Sequence, residues 1–277
     1  MTCIPAKRIM PIYTWALFMI WLGGCTPVVH SNLLGTTWIQ TSAEYRANSI
    51  QTYKTAMRNI QAAVDNSDWT AALEQNEAYH ELPPAVIFDI DETVLDNSPY
   101  QAGLILTNSK YSENSWDSWI HKKQAQAIPG VIEFITALHE NGITSIFITN
   151  RTCKHRKNST GTCPQKNDTL KNLRTAGITQ VARNNTLLKN ERSEWGSEKQ
   201  SRRKYIAKHY RILMIVGDDL GDFIPHVKDN ITYKERKKLV EEYREKWGKQ
   251  WFILANPLYG SWERVLNKPK SRYLRVR

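Results

Sequence analysis

The stretch that most constrains this chain is Pro84-Ala85-Val86-Ile87-Phe88-Asp89-Ile90-Asp91-Glu92-Thr93. Four apolar residues, Ala85 to Phe88, run without a polar interruption. That is how a strand buried on both faces reads. Carboxylates two positions apart follow at once. In an extended chain residues i and i+2 point to the same side, so Asp89 and Asp91 leave the strand end together. Open α/β sheets place their ligand crevices at that end. Two crowded carboxylates resist joint ionisation unless a cation lies between them. With Mg²⁺ present, one can act as a bare nucleophile while the other handles protons.

Two later stretches repeat the design. Ser145-Ile146-Phe147-Ile148-Thr149-Asn150-Arg151 is an apolar run ending in a hydroxyl, an amide and a guanidinium. Ile212-Leu213-Met214-Ile215-Val216-Gly217-Asp218-Asp219-Leu220-Gly221-Asp222 ends in glycine and acids. Between them lies a basic stretch containing Lys189, Lys199 and Lys204.

The string Asp89-x-Asp91-x-Thr93 resembles the first motif of the haloacid dehalogenase (HAD) superfamily of phosphohydrolases. Asp89 to Ser98 is similar to the secreted acid phosphatases of that superfamily (class B/C, subfamily IIIB), and most of all to the lipoprotein e(P4) group. The later stretches resemble its second and fourth motifs. The resemblance runs from about Trp38 to Glu263. It implies an α/β fold, a HAD-like Rossmannoid core with a mostly parallel sheet and a smaller helical subdomain. It also implies a Mg²⁺-dependent phosphomonoesterase. In that scheme Asp89 attacks phosphorus and Asp91 is the general acid and base. Thr149 and Lys199 hold the phosphoryl group, and Lys189 and Lys204 are alternatives for the lysine. The metal lies on Asp89, the main-chain carbonyl of Asp91 and Asp218, with Asp222 holding metal-bound water or Lys199. Asn150 and Arg151 follow Thr149 as they do in the acid phosphatases and are assigned to the substrate.

Residues 97–127 read as an insert after the first motif, with Trp116 and Trp119 on one face if helical. Such an insert lies over the catalytic crevice in HAD enzymes. The pair is read either as a stack for a substrate ring or as packing of the insert onto the core. The ending Asn256-Pro257-Leu258-Tyr259-Gly260-Ser261-Trp262-Glu263 resembles that of the e(P4) group, with Tyr259 at the substrate rim. The family accepts 5′-nucleotides, so the resemblance implies a small phosphorylated substrate of that class as the partner. A non-nucleotide ester is the alternative. A second alternative is a surface lipoprotein that binds haem or a host ligand, with hydrolysis secondary. The resemblance further suggests a homodimer.

The first 24 residues read as a leader. Lys7 and Arg8 precede an apolar run from Ile12 to Leu22, too short to span a bilayer comfortably but right for export. Leu22-Gly23-Gly24-Cys25 resembles a bacterial lipobox, which would lipidate Cys25 and anchor the protein to a membrane. Thr26 after it resembles a sorting signal for the outer membrane. Cys3 would leave with the leader, so Cys153 and Cys163 remain and are expected to pair in an oxidising compartment. A metal site with His155 is the rival reading, but its spacing matches no zinc pattern.

The boundaries expected are a leader at 1–24, a lipidated tether at 25–37, a helical arm at 38–82, the core at 83–266 and a disordered basic tail at 267–277. The arm should hold a helix capped by Ser42 and a second one over Trp69–Tyr79. The formal net charge is +11, which favours anionic partners. No Arg-rich helix or RNA-binding signature points to a nucleic-acid polymer.

Overall fold

The order of the strands follows from the apolar runs. In this computed structural model, which describes residues 30–276 apart from 77 and 158, the chain opens with three helices, α1 (Leu33–Thr41), α2 (Ala43–Arg58) and α3 (Ile60–Asp65). The core strand β1 (Pro84–Phe88) follows, then β2 (Leu95–Asp96), α4 (Ser98–Leu106), α5 (Glu113–Lys122) and β3 (Gln126–Ala127). Next come α6 (Val131–Glu140), β4 (Thr144–Thr152), α7 (Pro164–Thr175), β5 (Thr186–Lys189), α8 (Gln200–Ala207) and β6 (Arg211–Gly217). A 3₁₀ turn at Leu220–Asp222 leads to α9 (Tyr233–Glu242), β7 (Trp251–Ile253) and α10 (Ser261–Arg264).

Five strands form one parallel sheet in the order β5-β4-β1-β6-β7. The chain winds outward from β1 through β4 to β5, then returns to β6 and β7. The winding reverses at β1, which is where such sheets open a crevice beyond their carboxyl ends. Both faces are covered, so β1 and β6 read as unbroken apolar runs. A two-residue antiparallel pair, Leu95 with Ala127 and Asp96 with Gln126, closes the base of the α4–α5 insert.

The N-terminal arm belongs to the same core. Tyr53, Ala56, Ile60 and Ala63 are buried in one cluster with Val86, Phe88 and Phe134. The Tyr53 hydroxyl donates to the Thr93 carbonyl at 2.6 Å, tying the arm to the loop after β1. Ser42 caps α2 as expected, accepting from the Tyr45 N–H at 3.1 Å.

Three expectations change. Residues 33–37, read as tether, belong to α1, which packs against Pro257 and Leu258 at Gly35. The helix expected over Trp69–Tyr79 is an irregular segment. Its backbone is drawn to the sheet instead: Ala71 N–H donates to the Ile212 carbonyl at 2.7 Å, and the Trp251 indole donates to the Ala71 carbonyl at 2.7 Å. The Trp69 indole donates to Leu213. The tail expected to be disordered forms a 3₁₀ turn at Lys270–Tyr273, with Tyr273 edge-on to Tyr233. The leader and Cys25 lie outside the described residues. No helix among the described residues is long and apolar enough to cross a membrane.

Candidate active site

Strand register delivers the acids. Phe88 is level with Val216 across the β1–β6 ladder, and Asp89 N–H continues that ladder to the Val216 carbonyl at 2.9 Å. Asp89 therefore leaves β1 beside Gly217, one residue before Asp218 leaves β6. Gly217 is required by close approach. A Cβ there would lie 2.3 Å from Asp222 Oδ2, so only glycine lets the 3₁₀ turn fold Asp222 back against the strand end. Asp222 Oδ2 accepts from the Asp218 and Asp219 main-chain N–H groups at 3.2 and 3.0 Å.

Carboxylate oxygens of Asp89, Asp218 and Asp222 lie within 4.8 Å of one another. Lys199, buried at the start of α8, pairs with Asp222 Oδ1 at 2.6 Å and with Asp89. This selects Lys199 among the three candidates. Lys204 is exposed, and Lys189 lines the cavity without joining the cluster. Burial raises the Asp89 carboxyl to about 7 against the pull of Lys199, with Asp222 and Asp91 adding to the rise. Burial, then Asp89, pushes Asp218 well above the usual carboxylate range. Burial pulls the Lys199 ammonium down, but Asp222 and Asp89 outweigh it and its proton is held more tightly than usual.

Three acids around one lysine are short of positive charge. Their donor atoms are all hard oxygens, and burial opposes their joint ionisation. This arrangement fits a divalent cation of the Mg²⁺ or Ca²⁺ type. Asp218 is already aimed: Oδ1 accepts from the Thr93 hydroxyl at 3.0 Å and Oδ2 from the Asn256 amide at 2.8 Å.

The cluster forms the floor of a cavity of about 920 Å³. Asp91, Asn150, Trp116 and Tyr259 also line it. Arg151 does not, which corrects its assignment to the substrate. It is buried behind Asp91 and grips that carboxylate, Nε to Oδ1 at 3.0 Å and Nη2 to Oδ1 at 2.8 Å. Thr149, expected on the phosphoryl group, is also corrected: it is buried and lies behind the same carboxylate, not on the cavity wall. Its hydroxyl donates to Asp91 Oδ2 at 3.2 Å and accepts from the Arg151 main-chain N–H at 3.0 Å. Trp119 is likewise corrected. Its ring is buried and its indole donates to Asn97 Oδ1 at 2.7 Å, so it fastens α5 to the junction of β2 and α4. Trp116 is the half-buried member of the pair, edge-on to Tyr100 at 5.1 Å. Asn150 joins the wall while its amide donates to the Ser197 carbonyl at 3.1 Å. Cys153 and Cys163 form the expected disulfide.

Several residues of the site were not singled out from sequence. Arg202 is fully buried and donates to the Thr149 carbonyl at 2.5 Å, Asn150 Oδ1 at 2.7 Å and the Gly196 carbonyl at 2.9 Å. Arg203 reaches Glu74 and the Asp222 carbonyl. The signal was present: Lys199, Arg202, Arg203 and Ile206 fall at i, i+3, i+4 and i+7, a buried helix face written in cations. Glu92 sits at φ +61, and its carboxylate accepts from the Asn97 N–H at 2.9 Å and from the Tyr259 hydroxyl. Asp219 accepts from the Ser261 hydroxyl at 2.6 Å and its N–H at 2.5 Å. Residues 256–261 thus bind both acidic loops.

Among known proteins, residues 25–262 match the family described as HAD superfamily, subfamily IIIB (acid phosphatase). The class C acid phosphatase of Bacillus anthracis, solved with tungstate bound, is similar at TM-score 0.69 and 32% identity, over 84% of this chain and 86% of that one. A second structure of it gives 0.68 at the same identity and coverage. The stem 28 kDa and 31 kDa glycoproteins of Glycine max are each 27% identical over 154 residues, 53% of this chain. These cover 56% and 49% of those proteins, so the chain spans about half the length of the curated relatives it matches.

Proposed function

The chain belongs to the subfamily IIIB acid phosphatases of the HAD superfamily, phosphoric monoester hydrolases, and from that premise we propose a divalent-cation-dependent phosphomonoesterase that works through an aspartyl-phosphate. The observation that carries this reading is the floor itself. Asp89, Asp218 and Asp222 converge within 4.8 Å, with Lys199 between Asp89 and Asp222. The Bacillus anthracis relative was solved with tungstate, an oxyanion of phosphate shape.

Asp89 attacks phosphorus in line, and the Asp89–phosphorus bond forms as the ester bond breaks. Asp91, aimed by Arg151 and Thr149, gives its proton to the leaving oxygen and later takes one from the water that releases phosphate. Lys199 faces the phosphoryl oxygens and offsets their charge. Asp89, Asp218 and the Asp91 main-chain carbonyl would hold Mg²⁺, with Asp222 fixing Lys199 beside them. The cation supplies neutralisation of the charge that builds on the phosphoryl group.

The cavity is far larger than a phosphate group, and Trp116 and Tyr259 give it aromatic edges. This supports a substrate with a ring, nucleotides first. Leu22-Gly23-Gly24-Cys25 and the leader before it support export and a lipid anchor at Cys25, at a bacterial outer membrane. The test is Asp89→Asn. Phosphate release from p-nitrophenyl phosphate is expected to vanish while far-UV circular dichroism and Tm stay unchanged. Ordinary turnover by that variant overturns the assignment.

A further inference from the structure

The cavity roof hangs on a polar brace outside the strand-end motifs. Arg156 lies in the ten-residue span closed by Cys153 and Cys163. Its guanidinium forks onto Asp117 of α5, Nε to Oδ2 and Nη2 to Oδ1, both at 2.8 Å. The third nitrogen, Nη1, donates to Asp168 of α7 at 2.6 Å. Gln165 of α7 adds a bond to Asp117 Oδ1 at 2.9 Å. All three charged side chains are mostly shielded, at 13–16% exposure. Bidentate pairs in such surroundings are stronger and more directional than surface ion pairs.

The brace bears on the cavity because of where Asp117 sits. Trp116, Asp117 and Trp119 are near neighbours on one short helix, and each faces a different partner. Trp119 is fastened to Asn97, Asp117 to Arg156, and Trp116 faces Tyr100 and the cavity. Two anchored side chains on different faces fix the rotation of α5, and the third then has one direction. The disulfide fixes the origin of the brace. Cys153 follows β4 directly, one residue after Thr152, and Cys163 is the residue at which α7 begins.

We infer that Arg156 is a positioning residue for substrate choice. Through Asp117 it sets the angle of Trp116 over the opening, and the Cys153–Cys163 bridge holds Arg156 in place. The inference rests on the reading of Trp116 as the wall against a substrate ring. Removing the guanidinium leaves Asp117 held by Gln165 alone, while Asp168 keeps His121 and Lys123 at the far end of α5, which frees α5 to turn at its Trp116 end. Arg156, Asp117, Gln165 and Asp168 bond none of the reacting acids and not Lys199, and the Trp119–Asn97 bond, whose Asn97 also donates to Asp91, stays in place, so turnover chemistry is spared.

The experiment compares kcat/KM for 5′-AMP with that for ribose 5-phosphate, which differs by the base alone. Trp116→Ala is expected to lower the AMP-to-ribose-phosphate ratio about five- to tenfold, as loss of one aromatic contact does. Arg156→Gln and the double variant Cys153→Ser/Cys163→Ser should each reproduce most of that fall through KM for AMP. The kcat for ribose 5-phosphate should remain within about twofold. Arg156→Lys keeps the charge without the fork and should fall between, which serves if the glutamine variant does not fold. A shifted Trp116→Ala ratio with flat ratios for both Arg156 variants overturns the brace and leaves the wall standing. A flat Trp116→Ala ratio overturns the wall, and the brace with it.

Discussion

On the floor of the cavity, Asp89, Asp218 and Asp222 lie within 4.8 Å of one another just beyond paired strands, and Lys199 reaches Asp89 and Asp222 from the start of α8. On the roof, Trp116 reaches the same space from a helix whose partners lie on β4's following loop, α7 and the junction of β2 and α4. The floor is placed by backbone register, which moves in whole residues or not at all. The roof is placed by side chains reaching across segments, and one lost partner can tilt it. Chemistry that must be exact is therefore on the floor, and choice of substrate on the roof.

The comparison can be broken most directly by adding one methyl group to each region. Gly217→Ala puts a carbon 2.3 Å from Asp222 Oδ2 and 2.6 Å from its Cβ. We expect phosphatase activity to fall at least a hundredfold and stability by about 2–3 kcal/mol, measured by turnover and denaturant unfolding. Wild-type behaviour would show that the floor is not locked.

Arg202→Met tests the support under the floor. It strips donors from the Thr149 and Gly196 carbonyls and should cost about 2–4 kcal/mol of unfolding free energy. A loss under half a unit of that range would mean water replaces the guanidinium.

The acids offer a third test, by pH. Asp89 titrates at about 7 in the folded chain because it is buried among Asp222 and Asp91 despite Lys199, and an unfolded aspartate loses its proton near 3.9. Between those values the folded state holds a proton that the unfolded state lacks. Stability without metal accordingly declines as pH rises through that window. Asp218 is shifted in the same direction. Bound Mg²⁺ compensates both, so the rise in Tm on adding it should be larger at pH 8 than at pH 5. Equal rises would separate the cation from these acids.

The smallest effect is expected on the roof. Gly103 lies inside α4, and a Cβ there meets nothing within 4 Å. Gly103→Ala should stabilise the protein by about 0.5–1 kcal/mol with activity unchanged, read by thermal melts and turnover.

The same contrast explains what could be read from the chain itself. Asp89, Asp91, Thr149 and Asp218 announce themselves because an apolar strand that ends in acids or hydroxyls can place them in only one region of an open sheet. Lys199 needed the fold to separate it from Lys189 and Lys204. Arg151 reads as a substrate residue because its neighbours in sequence belong there, and the helical spacing of Trp119 with Trp116 leaves stacking and packing equally open. The direction each side chain takes depends on Asp91 and Asn97, which sequence distance does not weigh. The segment Trp69–Tyr79 reads as helix by its own pattern. Its polar groups found better partners on β6 and β7, where Gln75 caps the Ile212 N–H and the Tyr210 carbonyl. Local preference yields when a neighbouring edge offers the same hydrogen bonds and more burial.

Residues 256–261 have a consequence for how the protein matures. Every acid they restrain is translated earlier, and the chain emerges from its amino end. The nascent polypeptide thus carries its crowded negative charges before the Asn256 amide, the Tyr259 phenol and the Ser261 hydroxyl exist to steady them. Competence depends on this late segment, and a protease cutting after residue 255 would disarm the enzyme while leaving all five strands of its main sheet in place.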